Sequence, residues 1–272
     1  MKRKIYAILL SVIICLLYLF IYKSIPSFHL KNDFAEYIIR YSIMSVLLII
    51  ALIVLHRLSI LKFEWKKFKK GLWLGLLFIV LALARFIPSL ISQSAENEFL
   101  PVIDIVIFIV AILIGTGFTE EVLCRGIVMN LLLDNYGRDT RKGITTAILL
   151  SSFIFGFSHL SNAISSDVNL AGALLQSIAA SGMGLFFGAV YARSHSIWPV
   201  VFLHGFWDIS GMVAIGFFGV GKVLDLSYSL KNEEDIIVFL GALTAAIVIF
   251  FLYYAYYRFI LRKKKFQECL ES

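Results

Sequence analysis

Two adjacent glutamates, Glu120 and Glu121, lie in a run of apolar residues together with Arg125. An ionised carboxylate near the centre of a bilayer costs at least about 3 kcal/mol, and two neighbouring carboxylates also repel each other. In a helix, Glu121 and Arg125 stand at i and i+4 and can neutralise each other, whereas Glu120 points about 100° away from that pair. A carboxylate without a partner in its own helix indicates a functional site, and Glu120 is the first candidate.

Two further apolar runs carry histidine or aspartate side chains. His159 ends the run AILLSSFIFGFSH, and His204 and Asp208 stand at i and i+4 in WPVVFLHGFWDIS, on one face of a helix. A single histidine in a membrane helix is often a packing residue that bonds to a neighbouring helix. The whole set is different, because its acids, histidines and arginine need one another or water to be tolerated in lipid.

These residue types are suited to hydrolysis. A carboxylate and imidazoles can position a water molecule and remove its proton, as the hydrolysis of an amide requires. The set Glu120, His159, His204 and Asp208 could also hold a divalent metal such as zinc, which would acidify its bound water. The residues alone leave open whether the cofactor is such a metal or none. The chain contains neither the HExxH motif of zinc proteases nor the GxSxG motif of serine hydrolases.

The elements that must position these residues are membrane helices. The chain has 272 residues, of which 60% are hydrophobic and 16% charged, so its composition indicates a polytopic membrane protein. The net charge of +7 comes from Lys and Arg in short loops, which favours a lipid bilayer over nucleic acid as the partner. Apolar runs long enough to cross a bilayer fall at 5–22, 37–56, 71–92, 102–133, 144–161, 170–192, 197–219 and 236–259.

The loop charges predict the orientation of these runs. Alternate loops are basic, as at Lys2, Lys66, Arg141, Arg193 and Arg262–Lys265, and the others carry acids or little charge, as at Glu96, Asp167 and Asp235. Basic loops stay in the cytoplasm. We therefore expect an all-α polytopic bundle of about eight transmembrane helices with both termini cytoplasmic. It would form one integral-membrane domain over 1–272, with a catalytic core at 100–215.

The depths of the candidate residues in the membrane are compatible with a single site. Counted from the basic end of each helix at about 1.5 Å per residue, Glu120, His159, His204 and Asp208 all lie roughly 12–22 Å into the membrane. The sequence thus allows these side chains to meet near mid-membrane.

The three motifs in this order resemble those of the CPBP intramembrane proteases. They read Glu120-Glu121-x-x-x-Arg125, Phe155-x-x-x-His159 and His204-x-x-x-Asp208. That family includes the type II CAAX prenyl endopeptidases and the bacteriocin-processing, or Abi, proteins. The segment GLFFGAVYARSHSIWPVVFLHGFWD also resembles the family's usual run into its third motif, and the resemblance covers about residues 100–215.

The resemblance implies an intramembrane endopeptidase whose Glu and His residues activate water. It implies a role for each motif residue, namely a general base at Glu120, a supporting ion pair of Glu121 with Arg125, water or oxyanion contacts from His159 and His204, and Asp208 at a position that takes Asn or Asp. The family is labelled metalloprotease, yet a metal-free, glutamate-dependent mechanism fits the same residues. Asp208 adds a negative charge where CAAX endopeptidases usually have Asn, which argues against a CAAX substrate here.

The expected substrate is a membrane-embedded peptide or protein, in the cytoplasmic membrane of a bacterium. Peptide pheromone precursors, bacteriocin leaders and membrane-protein segments fit this expectation better than prenylated proteins, which bacteria do not generally make. The alternative is a non-catalytic bacteriocin-immunity protein or a regulator of a sensor kinase that keeps the fold and acts by binding. A proton- or ion-coupled carrier would also use buried acids, but carriers often show repeated halves, and no internal repeat is evident.

Overall fold

A computed structural model describes residues 2–164, 168–221 and 233–261, and within these ranges the elements are helices without a β-strand. The all-α prediction is thus confirmed. The main helices are α1 (Lys2–Ser24), α2 (Asp33–Val54), α3 (Trp65–Leu74), α4 (Leu76–Glu96), α5 (Val102–Tyr136), α6 (Arg141–Ser158), α7 (Leu170–Ser194), α8 (Trp198–Gly211), α9 (Val213–Phe218) and α10 (Glu233–Ile260). Short 3₁₀ segments follow α2 at Leu58–Leu61 and α6 at His159–Ile164.

Seven helical segments of the described chain are long and apolar enough to cross a membrane: Lys2–Ser24, Asp33–Val54, Leu76–Glu96, Val102–Tyr136, Arg141–Ile164, Leu170–Ser194 and Asp235–Ile260. They correspond to seven of the eight predicted runs. The protein is therefore a multi-pass membrane protein, as its composition predicts.

The eighth predicted run, 197–219, is interrupted. Met212 leaves helical geometry with φ −112° and ψ 25°, so the run divides into the 14-residue α8 and the 6-residue α9. The uniform hydropathy of this run gives no sign of the break. The predicted orientation of the termini stays a prediction, and its basic positions 262–265 and Asp167 lie outside the described residues.

The chain divides into two compact units. Of the described residues, 2–16, 128–164, 168–193 and 233–261 belong to the first unit, and 17–127 and 194–221 belong to the second. In the first unit, α6 and α7 approach closely at small residues, since a methyl group on Gly184 would lie 2.9 Å from Ser152. In the second unit, α2, α5 and α8 share an apolar cluster of Phe34, Phe108, Ala111, Ile112 and Ile209.

Candidate active site

The helix that carries the two glutamates is wider than an α-helix where it reaches them. Within α5, the stretches Leu113–Glu120 and Val122–Met129 are π-helical. The hydroxyl of Thr116 donates to the Ile112 carbonyl oxygen at 3.1 Å, and that of Thr119 donates to the Gly115 carbonyl. Such side-chain bonds compete with the i→i−4 backbone ladder and let a helix widen. π-helical turns occur frequently at functional sites.

Helix α8 lies directly against this stretch of α5. A methyl group on Gly117 would lie 2.9 Å from the Val201 carbonyl oxygen, and one on Gly205 would lie 2.7 Å from the Leu113 side chain. Glycine at both positions therefore allows a close approach of the two backbones. The start of α8 is fixed by the Trp198 indole, whose Nε1 donates to the Leu61 carbonyl oxygen at 3.0 Å. This approach brings His204 on α8 next to the acids on α5.

Glu121, Arg125 and His204 form a buried network. The guanidinium Nη1 of Arg125 lies 2.7 Å from Glu121 Oε1, so the ion pair expected from the i,i+4 spacing is present. The same oxygen lies 2.8 Å from Nδ1 of His204, a distance at which Nδ1–H donates to the carboxylate. The three side chains are at most 3% exposed. Glu121 thereby fixes the orientation of the imidazole and leaves Nε2 on the opposite side of the ring.

The Nε2 side of His204 faces two more accessible carboxylates. Glu120 Oε2 lies 3.9 Å from Nε2 and Asp208 Oδ2 lies 3.6 Å from it. The side chains of Glu120 and Asp208 are 21% and 24% exposed, whereas that of Glu121 is fully buried. Glu120 has no partner on its own helix, as the spacing predicts, and its neighbour comes from α8. A reacting group must be reachable, so exposure separates Glu120 and Asp208 from the supporting pair.

His159 belongs to the first unit, at the point where α6 gives way to a 3₁₀ turn. Its Nδ1–H donates to the Phe155 carbonyl oxygen at 2.9 Å, and the Phe155 ring packs edge-on at 4.8 Å between centroids. This bond leaves Nε2 as the proton-accepting nitrogen of the neutral ring. The other five candidate residues belong to the second unit, and a shared site with His159 stays a prediction.

A comparison with known protein families finds a match in the region that carries the candidate residues. Residues 102–210 match the family model described as type II CAAX prenyl endopeptidase Rce1-like. This segment is similar to that family. The comparison with curated proteins found no match, and neither did the comparison with solved structures. The family predicted from the three motifs is thus confirmed, and the Rce1-like segment contains the six candidate residues.

The fit of the Rce1-like site to a metal ion can be tested on its donor atoms. The Nδ1–H of His204 donates to Glu121, so Nε2 is the ring nitrogen that faces the exposed carboxylates. Within the described chain, no group of three or more His, Cys, Asp or Glu side chains is placed to hold one metal ion.

Sequence reasoning missed one residue that holds the Rce1-like site in place. Arg85 of α4 stacks over the Trp207 ring at 4.2 Å and donates from Nη2 to Ser210 Oγ at 3.0 Å and to the Trp207 carbonyl oxygen. It thus binds the end of α8 on both sides of Asp208. Arg85 lies outside the matched segment, within an apolar run. A lone arginine in such a run is itself a signal of function that could have found it.

Proposed function

We propose that the protein is an intramembrane endopeptidase in which Glu120 activates water for attack on a peptide bond. The observation that supports it most is the accessible Glu120 carboxylate beside a buried, rigidly held imidazole, with 3.9 Å between Oε2 and Nε2. In this proposal Glu120 is the base, and His204 offers a neighbouring proton donor at Nε2. That is the minimum needed to add water to an amide and release an amine.

The reaction takes two proton transfers. Glu120 removes a proton from water as the water oxygen bonds to the peptide carbonyl carbon, and the carbonyl electron pair moves to its oxygen. The tetrahedral intermediate then collapses, the carbon–nitrogen bond breaks, and Glu120 returns the proton to the leaving nitrogen. The products are an amine and a carboxylic acid, which loses its remaining proton to solvent, so Glu120 ends in its starting state.

His204 stabilises the negative oxygen of the intermediate. Its Nδ1–H is committed to Glu121, so only Nε2 can face the reacting carbonyl. In its protonated form His204 carries a donor at Nε2, beside the Glu120 and Asp208 carboxylates at 3.9 and 3.6 Å. Donors aimed at a developing oxyanion typically contribute about 3–4 kcal/mol to lowering the barrier.

The substrate is a peptide segment presented within the membrane. The segments that carry the site are apolar, and exposed apolar residues such as Val106, Val110 and Phe202 lie on α5 and α8. A peptide that approaches from lipid meets this surface first. We place the protein in a bacterial cytoplasmic membrane, with short membrane-bound peptide precursors as the candidate class of substrate.

The test compares Glu120→Gln with Glu64→Gln in a deletion strain at matched membrane abundance. Gln keeps the size of the side chain but cannot accept the proton, so cleavage should fall by about 10²–10⁴-fold, the usual contribution of a general base. Newly formed peptide termini in the membrane fraction, quantified by mass spectrometry, measure cleavage.

Glu64 serves as the control because it lies at the start of α3, outside the matched segment, and pairs with Lys67 at 2.9 Å. Glu64→Gln should cleave normally. Retention of more than half of the wild-type cleavage by Glu120→Gln would show that Glu120 is not the base.

A further inference from the structure

A cavity lined by basic side chains lies in the first unit, which holds neither Glu120 nor His204. Its volume is about 480 Å³, and it is lined by Arg141, Lys142, Thr145, Thr146, Tyr257, Arg258 and Leu261. The first four come from the beginning of α6, and the last three from the end of α10 and the residue that follows it. Two helices thus bring three cationic side chains to one concave surface.

These cations have no acid beside them within the described residues. No ion pair joins Arg141, Lys142 or Arg258 to a carboxylate there, and Asp134 pairs instead with Arg138 at 2.6 Å. Asp139, close to Arg141 in sequence, is not among the residues that line the cavity. Three like charges around one cavity repel one another, and an anion between them would remove that repulsion.

The N-terminal end of helix α6 adds to the positive potential of the cavity. The first turn of α6 carries Arg141 and Lys142 and no acid, although acids are the residues that stabilise the positive end of a helix. Thr146 brings a hydroxyl group to the cavity, and the Tyr257 phenol, which is hydrogen-bonded with Thr145, lies near the charges of Arg258 and Arg141. Guanidinium, ammonium and hydroxyl groups together suit phosphate oxygens.

The cavity also lies where phosphate groups are found. The segments Arg141–Ile164 and Asp235–Ile260 are each long and apolar enough to cross a bilayer, so the ends that form the cavity reach the headgroup level. The buried Tyr257 and Leu261 give it an apolar floor beneath the exposed charges. Basic pockets between membrane helices bind anionic headgroups in this way.

We propose that this cavity is a binding site for a phosphate-bearing anion, with an anionic phospholipid headgroup as the source that its depth favours. Its residues serve no step of peptide hydrolysis. The site is therefore separate from the proposed function.

The test measures binding of phosphatidylglycerol, phosphatidylcholine and inorganic pyrophosphate to the full-length protein in detergent, by native mass spectrometry. The wild type should prefer phosphatidylglycerol to the zwitterionic phosphatidylcholine. Arg141→Gln/Arg258→Gln should bind phosphatidylglycerol about 30-fold more weakly, and Lys142→Gln alone about 5-fold more weakly, as expected for loss of two charges or one. All three altered residues are solvent-exposed, so the variants should keep the wild-type unfolding midpoint.

Lys66→Gln/Lys70→Gln is the matched control, because it removes two exposed charges from α3 instead. Preserved phosphatidylglycerol binding in this control supports the cavity as the site. Pyrophosphate binding with the same dependence on Arg141 and Arg258, without a lipid preference, also supports it but makes a soluble phosphate the ligand. Equal weakening by both double variants, or no anion preference in the wild type, overturns the proposal.

Discussion

At the scale of single residues, two cationic or donor groups of the site share one carboxylate oxygen. Glu121 Oε1 accepts from both Arg125 and His204, so one oxygen atom joins the local ion pair to the neighbouring helix. The spacing of the motif predicts the first of these contacts, since both residues lie in one helix. It cannot predict the second, because His204 comes 83 positions later and its contact depends on how α8 packs.

Removing Arg125 should destabilise the protein more than removing the whole pair. Arg125→Leu leaves the Glu121 carboxylate buried without its main counter-charge, which costs about 3–5 kcal/mol. For a chain of this size we expect the unfolding midpoint in detergent to fall by roughly 10 °C. Glu121→Gln/Arg125→Leu should unfold at a higher temperature than Arg125→Leu. Equal midpoints for the two variants would mean that the buried charge is not what destabilises the single variant.

At the scale of elements, the site is a close contact between a widened α5 and a short α8 held at both ends. Trp198 fixes one end of α8 through Leu61, and Arg85 fixes the other through Trp207 and Ser210. Apolar periodicity predicts that both segments are helical. It gives no sign of the π-helical turns or of the end at Gly211, because these depend on side-chain bonds to backbone carbonyls.

Arg85 should affect catalysis by positioning α8. Arg85→Ala removes the stacking and the hydrogen bonds at the end of α8, so His204 and Asp208 lose their fixed distance from Glu120. We expect kcat to fall about 10–100-fold, as small displacements of reacting groups do, while the affinity for the substrate changes little. Arg85→Lys should restore only part of the rate, because an ammonium cannot reproduce the planar guanidinium contacts.

Gly211 provides an independent check on this role. A methyl group there would lie 2.5 Å from Arg85 Nη2, so Gly211→Ala should displace the guanidinium and lower kcat in the same way. In the double variant Arg85→Ala/Gly211→Ala the clash is absent, and the rate should equal that of Arg85→Ala. If the loss of kcat in the double variant equals the product of the losses in the two single variants, the two residues do not act through a shared mechanism.

At the scale of the whole molecule, the sequence predicts most of the membrane-spanning helices and the family, but fewer of the details of the site. Long apolar runs identify seven segments because a bilayer demands about 20 apolar residues per helix. The three motifs identify the Rce1-like segment. The sequence does not predict the partners of Arg85 or the basic cavity at α6 and α10, because each depends on contacts between residues far apart in the chain.

The two termini should lie on the same side of the membrane. Helix α8 alone is roughly 21 Å long, too short for a hydrocarbon core of about 30 Å, whereas the stretch 198–218 extends over roughly 31 Å. With α8 and α9 counted together as one interrupted membrane crossing, the described chain has eight crossings, an even number. Reporter fusions at residues 1 and 272 should both signal cytoplasm. Opposite locations would mean that α8 and α9 return to the side from which they enter.

The ion pair within α5 has a consequence for biosynthesis. Glu121 and Arg125 are four residues apart, so they can pair as soon as α5 leaves the ribosome and enters lipid. Glu120 must wait for His204, which emerges roughly 4–17 s later at about 5–20 residues per second. During that interval the nascent chain holds one carboxylate without its eventual neighbour. The order of translation thus separates the residues that make α5 insertable from those that complete the site.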